Sequence, residues 1–378
     1  MGSHGQSFSR RAGYVSSVAI PMTNSPENTE LEGVPIQVSV ATDSDRLDWN
    51  EYVESQPLAE IYHRFEWKSL LEGVFGHQCH YLIARNASGN VKGVLPLSHL
   101  NSRLFGNFLI SIPCFNYCGV LAEARVTRDA LVAFAAELGK EVGAAHIELR
   151  HRSHVSLDLP FRDHKVSMQL ELPGSSDDLW TQFPAKLRSQ IRRPQKEGAV
   201  CDEGGVELLD DFYSVFSRNM RDLGTPVYPK QLFRSMLESF PDSARLFVVR
   251  FNAKAVAAGI TIGYRSVLEI PSASALREYN RVSVNMLLYW SVLQYAIKNG
   301  YRIFDFGRSS IDAGTFRFKK QWGASPQQLR WHYYLGEGVD IPHLNPSNPK
   351  FKFATRMWQF LPLPVANLLG PKIVRHLP

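Results

Sequence analysis

Apolar and polar residues alternate at Ile36, Val38 and Val40, the period-two pattern of a half-buried strand, so order is expected to begin near Pro35. Residues 43–55 read as helical, and Phe65, Trp67, Leu70, Leu71 and Val74 recur close to helical spacing. Two strand-like runs, 80–85 and 91–97, flank Asn86-Ala-Ser-Gly-Asn90 and predict a β-hairpin. The most apolar window, 104–122, contains Asn107, Pro113, Asn116 and two glycines. It therefore reads as two strands about a turn and not as a membrane helix. An Ala-rich helix over 127–142 and a strand at 146–149 complete this first series.

A second series of similar order starts near Val166, with a strand at 167–172 and a helix from 176 to 193 that Pro194 ends. Helices are predicted over 208–223 and 230–239, then a hairpin of 245–251 with 255–264 around Asn252-Ala-Lys254. A strand at 267–270, a long helix over 284–299 closed by Gly300, a strand at 301–306 breaking at Gly307 and a last strand at 331–335 follow. The shared rhythm predicts an α/β (α+β) protein of two similar units, each a mixed sheet flanked by helices, at residues 35–165 and 166–336. Residues 1–34, rich in Ser, Gly, Asn, Thr and Pro, read as a disordered tail. The Pro-rich residues 337–378 are expected to pack back on the body, with a membrane-surface helix as the less favoured alternative.

At 378 residues the chain is long for one hydrophobic core, which supports the two-unit reading. Its net charge of +6 and pI near 9.1 suit anionic substrates, a nucleic-acid cofactor or a membrane surface, without the charge density of a dedicated DNA binder. Four cysteines without framework spacing favour a reducing compartment, and the expected location is the cytoplasm, including the inner face of the membrane. His77, Cys79 and His80, or His151 and His154, lack a second ligand pair at a recognisable spacing, so no metal site is predicted.

Candidate chemistry concentrates in the second series. Asp305 sits inside an apolar run, where an unpaired carboxylate would cost several kcal/mol. Phe316, Arg317, Phe318, Lys319, Lys320 and Trp322 then mix aromatics with cations, and placing such groups at a strand end is how open α/β sheets build sites. Lys186, Arg188, Arg192, Arg193 and Lys196 crowd a segment with no acid before Glu197; Arg188 and Arg192, four residues apart on a helix, suit a phosphate or carboxylate. Tyr228 follows the tight Leu223-Gly-Thr-Pro loop, while Arg277, Asn280, Arg281 and Asn285 surround the predicted start of the long helix, an anion-binding arrangement. Asp305-Phe-Gly matches a kinase tripeptide without its companions, and no Walker loop or G-x-S-x-G elbow is present.

Six motifs taken in order resemble the FemAB-like family of tandem GNAT-type acyltransferases. They are Lys186-Leu-Arg-Ser-Gln-Ile-Arg-Arg, Arg221-Asp-Leu-Gly-Thr-Pro-Val-Tyr, Ser274-Ala-Leu-Arg-Glu-Tyr-Asn, Asn285-Met-Leu-Leu-Tyr-Trp, Phe304-Asp-Phe-Gly-Arg-Ser and Gly314-Thr-Phe-Arg-Phe-Lys-Lys-Gln-Trp-Gly-Ala. Within the family the chain looks most similar to the branch associated with exosortase/PEP-CTERM and exopolysaccharide systems. The resemblance implies an N-acyltransferase that acts on an amine of a cell-envelope precursor, related to peptidoglycan or exopolysaccharide. It also implies that Arg188 binds the anionic acceptor, and that Phe318 and Lys319 support transfer, with the lysine stabilising charge on the reacting carbonyl.

The expected site therefore comprises Lys319, Phe318 and Asp305 in catalysis, with Asp305 the nominal base. Lys186, Arg188, Arg192, Tyr228, Arg277, Asn280, Asn285, Arg308 and Arg317 are the expected substrate-binding residues. No metal or fixed cofactor is required; the acyl donor is aminoacyl-tRNA or an acyl-CoA. Residues 280–286 lack the glycine of the usual CoA pyrophosphate turn, which weighs against CoA. The expected partners are an envelope or polysaccharide precursor, charged tRNA and a peripheral membrane contact, with no DNA. Two rivals stand beside this reading: an acyl-CoA-dependent transferase acting on an exopolysaccharide sugar, and a non-catalytic basic adaptor that keeps the fold alone.

Overall fold

Strand periodicity and helix-ending residues set the element order in the computed structural model, which describes residues 35–152, 155–342 and 349–378. The tail expected at 1–34 lies outside the described residues. Pro35–Pro378 form one compact unit.

In the first half, β1 (Gln37–Val40), β3 (Leu82–Arg85), β4 (Val91–Leu95) and β7 (Leu121–Ala122) make a four-stranded sheet in the order β1-β3-β4-β7. A second sheet takes β2 (Gln78–Cys79), β5 (Ser98–Ser102), β6 (Gly106–Ile110), β8 (His146–His151) and β9 (Phe161–Arg162). Helices α1 (Arg46–Ser55), α2 (Glu66–Phe75) and α3 (Arg125–Glu141) accompany these sheets.

The second half is built on one seven-stranded sheet, ordered β11-β12-β13-β14-β15-β10-β16. Its strands are β10 (Lys165–Glu171), β11 (Val200–Gly204), β12 (Ala244–Phe251), β13 (Lys254–Tyr264), β14 (Val267–Ala275), β15 (Ile303–Ser310) and β16 (Ser325–Gln328). Its helices are α4 (Ser176–Gln182), α5 (Ala185–Lys196), α6 (Leu209–Leu223), α7 (Lys230–Ser239), α8 (Val284–Lys298) and α9 (Gly314–Lys320). A last strand, β17 (Arg330–Leu335), returns to the first half and pairs antiparallel with β8, so the halves are laced together. Two further helices, α10 (Pro349–Gln359) and α11 (Leu363–Val374), close the chain.

Each half contains one parallel strand pair joined through a long helix, β6-α3-β8 and β14-α8-β15. This shared device makes the fold a mixed α/β architecture of two similar halves. The two pairs end differently. β14 and β15 pair only from Val267↔Ile303 to Glu269↔Asp305; beyond that, β14 stays on β13 and β15 on β10, so the strands splay apart. In the first half the opening beside β8 is filled by the chain itself. Ser111 and Cys118 donate main-chain bonds to Glu148 and Arg150 of β8, and the Arg150 guanidinium donates to the carbonyls of Ile112 and Phe115. Among the described residues, only the second splay is left open.

Three sequence expectations need correction. The single helix over 176–193 is two, because Phe183 and Pro184 are extended and interrupt it. Pro194 does not end α5, which runs to Lys196 with the proline buried in its last turn. Gly307 does not end β15: it takes φ +75° at a bulge where Ser167↔Arg308 follows Gln169↔Asp305, and the strand continues to Ser310.

Candidate active site

The splay between β14 and β15 holds a cavity of about 320 Å³. Ile270 to Ser274 of β14 form one side, and Phe306, Gly307 and Arg308 of β15 the other. Phe216, Met220 and Leu223 of α6, with Leu232, Phe233 and Met236 of α7, make an apolar wall. Cys114, Phe115 and Asn116, from the loop that fills the first splay, close the remaining side together with Tyr228. A cleft between diverging strands exposes main-chain polar groups that the sheet no longer satisfies, the usual place for a ligand in an open sheet.

Lys319 lies on the lining of this cavity, although its side chain is buried to 7% exposure. Its Nζ donates to the carbonyls of Gly307 and Arg308, each at 2.9 Å. An ammonium carries three protons, so one remains for a ligand. Burial pulls its pKa down to about 8, while Asp305 and Glu269 act in the opposite direction. At neutral pH it is therefore a fixed cation. Arg308 also lines the cavity; its guanidinium stands 5.0 Å from the Trp331 ring, with no carboxylate partner among the described residues.

Asp305 is placed otherwise than its expected role as base requires. It has no exposed surface and is not part of the cavity lining. Oδ1 accepts from Ser167 Oγ at 2.6 Å and the Gly307 amide at 2.7 Å; Oδ2 accepts from Tyr117 at 3.0 Å and Gln169 at 3.2 Å, and pairs with Arg152 at 3.1 Å. A carboxylate so fully engaged is a positioning group. It holds the Gly307 amide, and the carbonyl of the same residue holds Lys319.

The cluster around Asp305 was not legible from sequence as a unit. Glu269 lies beside Asp305 in register on the neighbouring strand, accepting from Tyr62 at 2.8 Å and from Asn116 at 3.3 Å. Glu60, from the first half, pairs with Arg152 at 2.9 Å. The Arg152 guanidinium also covers the Tyr117 ring at 3.8 Å. Burial pushes both Glu60 and Glu269 up to about 7, with Arg152 opposing the shift and the neighbouring carboxylates adding to it. The signal for Glu269 was present in Val267-Leu-Glu-Ile270, an acid in an apolar strand like Asp305. Glu60 and Arg152 carried none, because they reach the site through long-range packing.

The other expected residues divide. Tyr228 lines the cavity. Phe318, expected beside Lys319, instead packs on Tyr289 at 5.1 Å and Trp322 at 6.4 Å, because successive helical residues point in different directions. Arg317 is exposed and donates to the Asp312 carbonyl, and Arg277 is exposed and donates to the Asp222 carbonyl. Exposed Asn280 and half-buried Asn285 stand at the start of α8, and neither lines the cavity. Lys186 is exposed on α5. Arg188 and Arg192 line a separate basic hollow with Arg193 and Lys196, where Arg192 also covers Trp180 at 5.0 Å.

Residues 182–320 match the acetyltransferase (GNAT) domain family. That span contains the open splay and Lys319. No match to a curated protein is found. Among solved structures, FemX shares the fold with TM-score 0.62 and 14% identity, covering 79% of this chain and 97% of FemX. A conserved protein of unknown function from Bacteroides thetaiotaomicron superposes with TM-score 0.56 at 8% identity, over 80% of this chain and 100% of that one. The C-terminal domain of a putative lysylphosphatidylglycerol synthetase from Agrobacterium fabrum follows with TM-score 0.50 and 12% identity, over 78% and 92%. The chain thus has a GNAT-type acyltransferase fold.

Proposed function

We propose that this protein is an N-acyltransferase that passes an acyl or aminoacyl group to the amine of a cell-envelope precursor. One observation carries the reading: an ammonium, held by two carbonyls, with a free proton at the lining of the only open splay among the described residues. Attack of an amine on an ester or thioester produces an oxyanion, and a fixed cation beside it lowers the barrier without reorganising. The new C–N bond forms as the ester oxygen or thioester sulfur departs, and the amine proton leaves to solvent or to the leaving group. Arg308 supplies a second positive group at the same lining. The basic hollow at Arg188 and Arg192 offers a place for phosphates or carboxylates of a long acceptor or donor.

Aminoacyl-tRNA is the favoured donor, because residues 280–286 contain no glycine to let a pyrophosphate approach the start of α8. The match of residues 182–320 to the GNAT acetyltransferase domain supports acyl-CoA as the second reading. Isothermal titration separates them. Micromolar binding of acetyl-CoA or a longer acyl-CoA selects the second donor, and binding of aminoacyl-tRNA alone selects the first. Mass spectrometry of envelope precursors from a strain lacking the protein should show one acyl or aminoacyl group missing from an amine. An unchanged precursor profile, with neither donor bound, would contradict the proposal.

A further inference from the structure

A helix on a protein surface ordinarily turns its large apolar side chains inward. α11 departs from this over most of its length. It buries Ala366, Gly370 and Val374 along one stripe and exposes Val365, Leu368, Leu369 and Lys372 along the other. The inward stripe has to be small, since a Cβ on Gly370 would meet the Val227 amide nitrogen at 2.7 Å. On α10 and just beyond it, Phe353, Met357 and Phe360 are 67%, 52% and 73% exposed at spacings of four and three residues, again one stripe. Near the end of α11, the half-buried His376 stacks with Phe105, whose neighbour Leu104 is 87% exposed.

Charge decides what covers these side chains. From residue 341 to the end the sequence holds Lys350, Lys352, Arg356, Lys372 and Arg375 and no aspartate or glutamate. Large apolar groups among cations, with acids excluded, complement a layer that is anionic outside and hydrocarbon beneath. No described helix is long and apolar enough to cross a membrane. The two helices also brace the lip of the cavity. Arg221 of α6 donates to the Leu361 carbonyl, a Cβ on Gly224 would meet Thr355 at 2.4 Å, and Leu223, on the cavity lining, is itself 48% exposed.

We propose that α10 and α11 seat the protein on an anionic phospholipid bilayer, with Phe353, Phe360, Leu368 and Leu369 entering the headgroup–acyl boundary and the cavity lip held beside it. The inference is independent of the acyl-transfer reading. Vesicle flotation of the full chain tests it, using phosphatidylcholine alone and phosphatidylcholine mixed with phosphatidylglycerol. Partitioning should be at least about ten-fold stronger on the mixed vesicles and should weaken with salt. Combined Phe353→Ser, Phe360→Ser, Leu368→Ser and Leu369→Ser should reduce it about ten-fold or more while leaving the thermal melt unchanged. Arg356→Glu with Lys372→Glu, which alters no apolar group, should abolish the preference for the anionic vesicles. Equal or absent partitioning on the two vesicle types would overturn the proposal. So would a dimer in sedimentation that the four serines convert to a monomer, because a second copy would then be what covers the stripe.

Discussion

Lys319 is held to its task by two carbonyls of β15. Its ammonium is charged at neutral pH but loses its proton near pH 8, because burial lowers its pKa from the usual lysine value. Transfer carried by that charge should decline as pH rises through about 8. A pH–rate profile checks this, and in Lys319→Arg the declining limb should vanish whatever rate remains, since a guanidinium stays protonated. Asp305 acts one step back, through the Gly307 amide. Asp305→Ala strips one of the two carboxylate partners from Arg152, leaving Glu60, and leaves several buried donors unmet, so it should destabilise the fold by roughly 3–5 kcal/mol in denaturant titration. The sequence marked Asp305 as anomalous by its apolar surroundings. It could not say whether the acid faced a ligand or a guanidinium, because Arg152 lies 153 positions away in the chain. For the same reason Phe318 was legible as a neighbour of Lys319 in sequence but not as a residue packed on the far side of α9.

At the level of elements, the site is a consequence of where two parallel strands part. Pairing stops at Glu269↔Asp305, and the bulge at Gly307 turns the following carbonyls toward Lys319. The left-handed φ there is easy for glycine alone. A Cβ at Gly307 would find room, its nearest neighbour being Asn116 Nδ2 at 3.5 Å, so Gly307→Ala should cost only the backbone strain of about 1–2 kcal/mol. Its effect on transfer should exceed its effect on melting, because the strain falls on the peptide that anchors the ammonium; parallel melts and initial rates measure both. Helices were legible wherever apolar spacing was regular, as in α6 and α7, and the hairpin of β12 with β13 followed from its turn. The splay was not. Periodicity reports which face of a strand is buried, but it does not report where a partner strand leaves.

In the whole molecule, the halves meet over buried charge. Glu60 and Arg152 come from the first half, Glu269 and Asp305 from the second, and β17 crosses from the second into the sheet of the first. Glu60 and Glu269 have folded-state pKa values raised from 4.5 to about 7. A carboxyl whose pKa is raised on folding binds its proton more tightly in the folded state, so its protonation favours folding and its ionisation opposes it. Its contribution is present below pH 4.5 and is lost as pH climbs to about 7. Each group can tilt stability by up to about 1.4 kcal/mol per pH unit in that window. Glu269→Gln should flatten the slope, which urea titrations at pH 5 through 7.5 would reveal. The lacing by β17 was hidden from the sequence, since a last strand of apolar and aromatic residues suits either sheet equally well.

The account turns on the ammonium at the open splay. Once a donor is identified, single-turnover acyl transfer by Lys319→Ala, measured beside its thermal melt, tests it most directly. We expect a folded protein whose transfer step is slower by about 10²–10³-fold, the loss typical of one oxyanion donor. A folded variant that transfers at close to the wild-type rate would contradict the account.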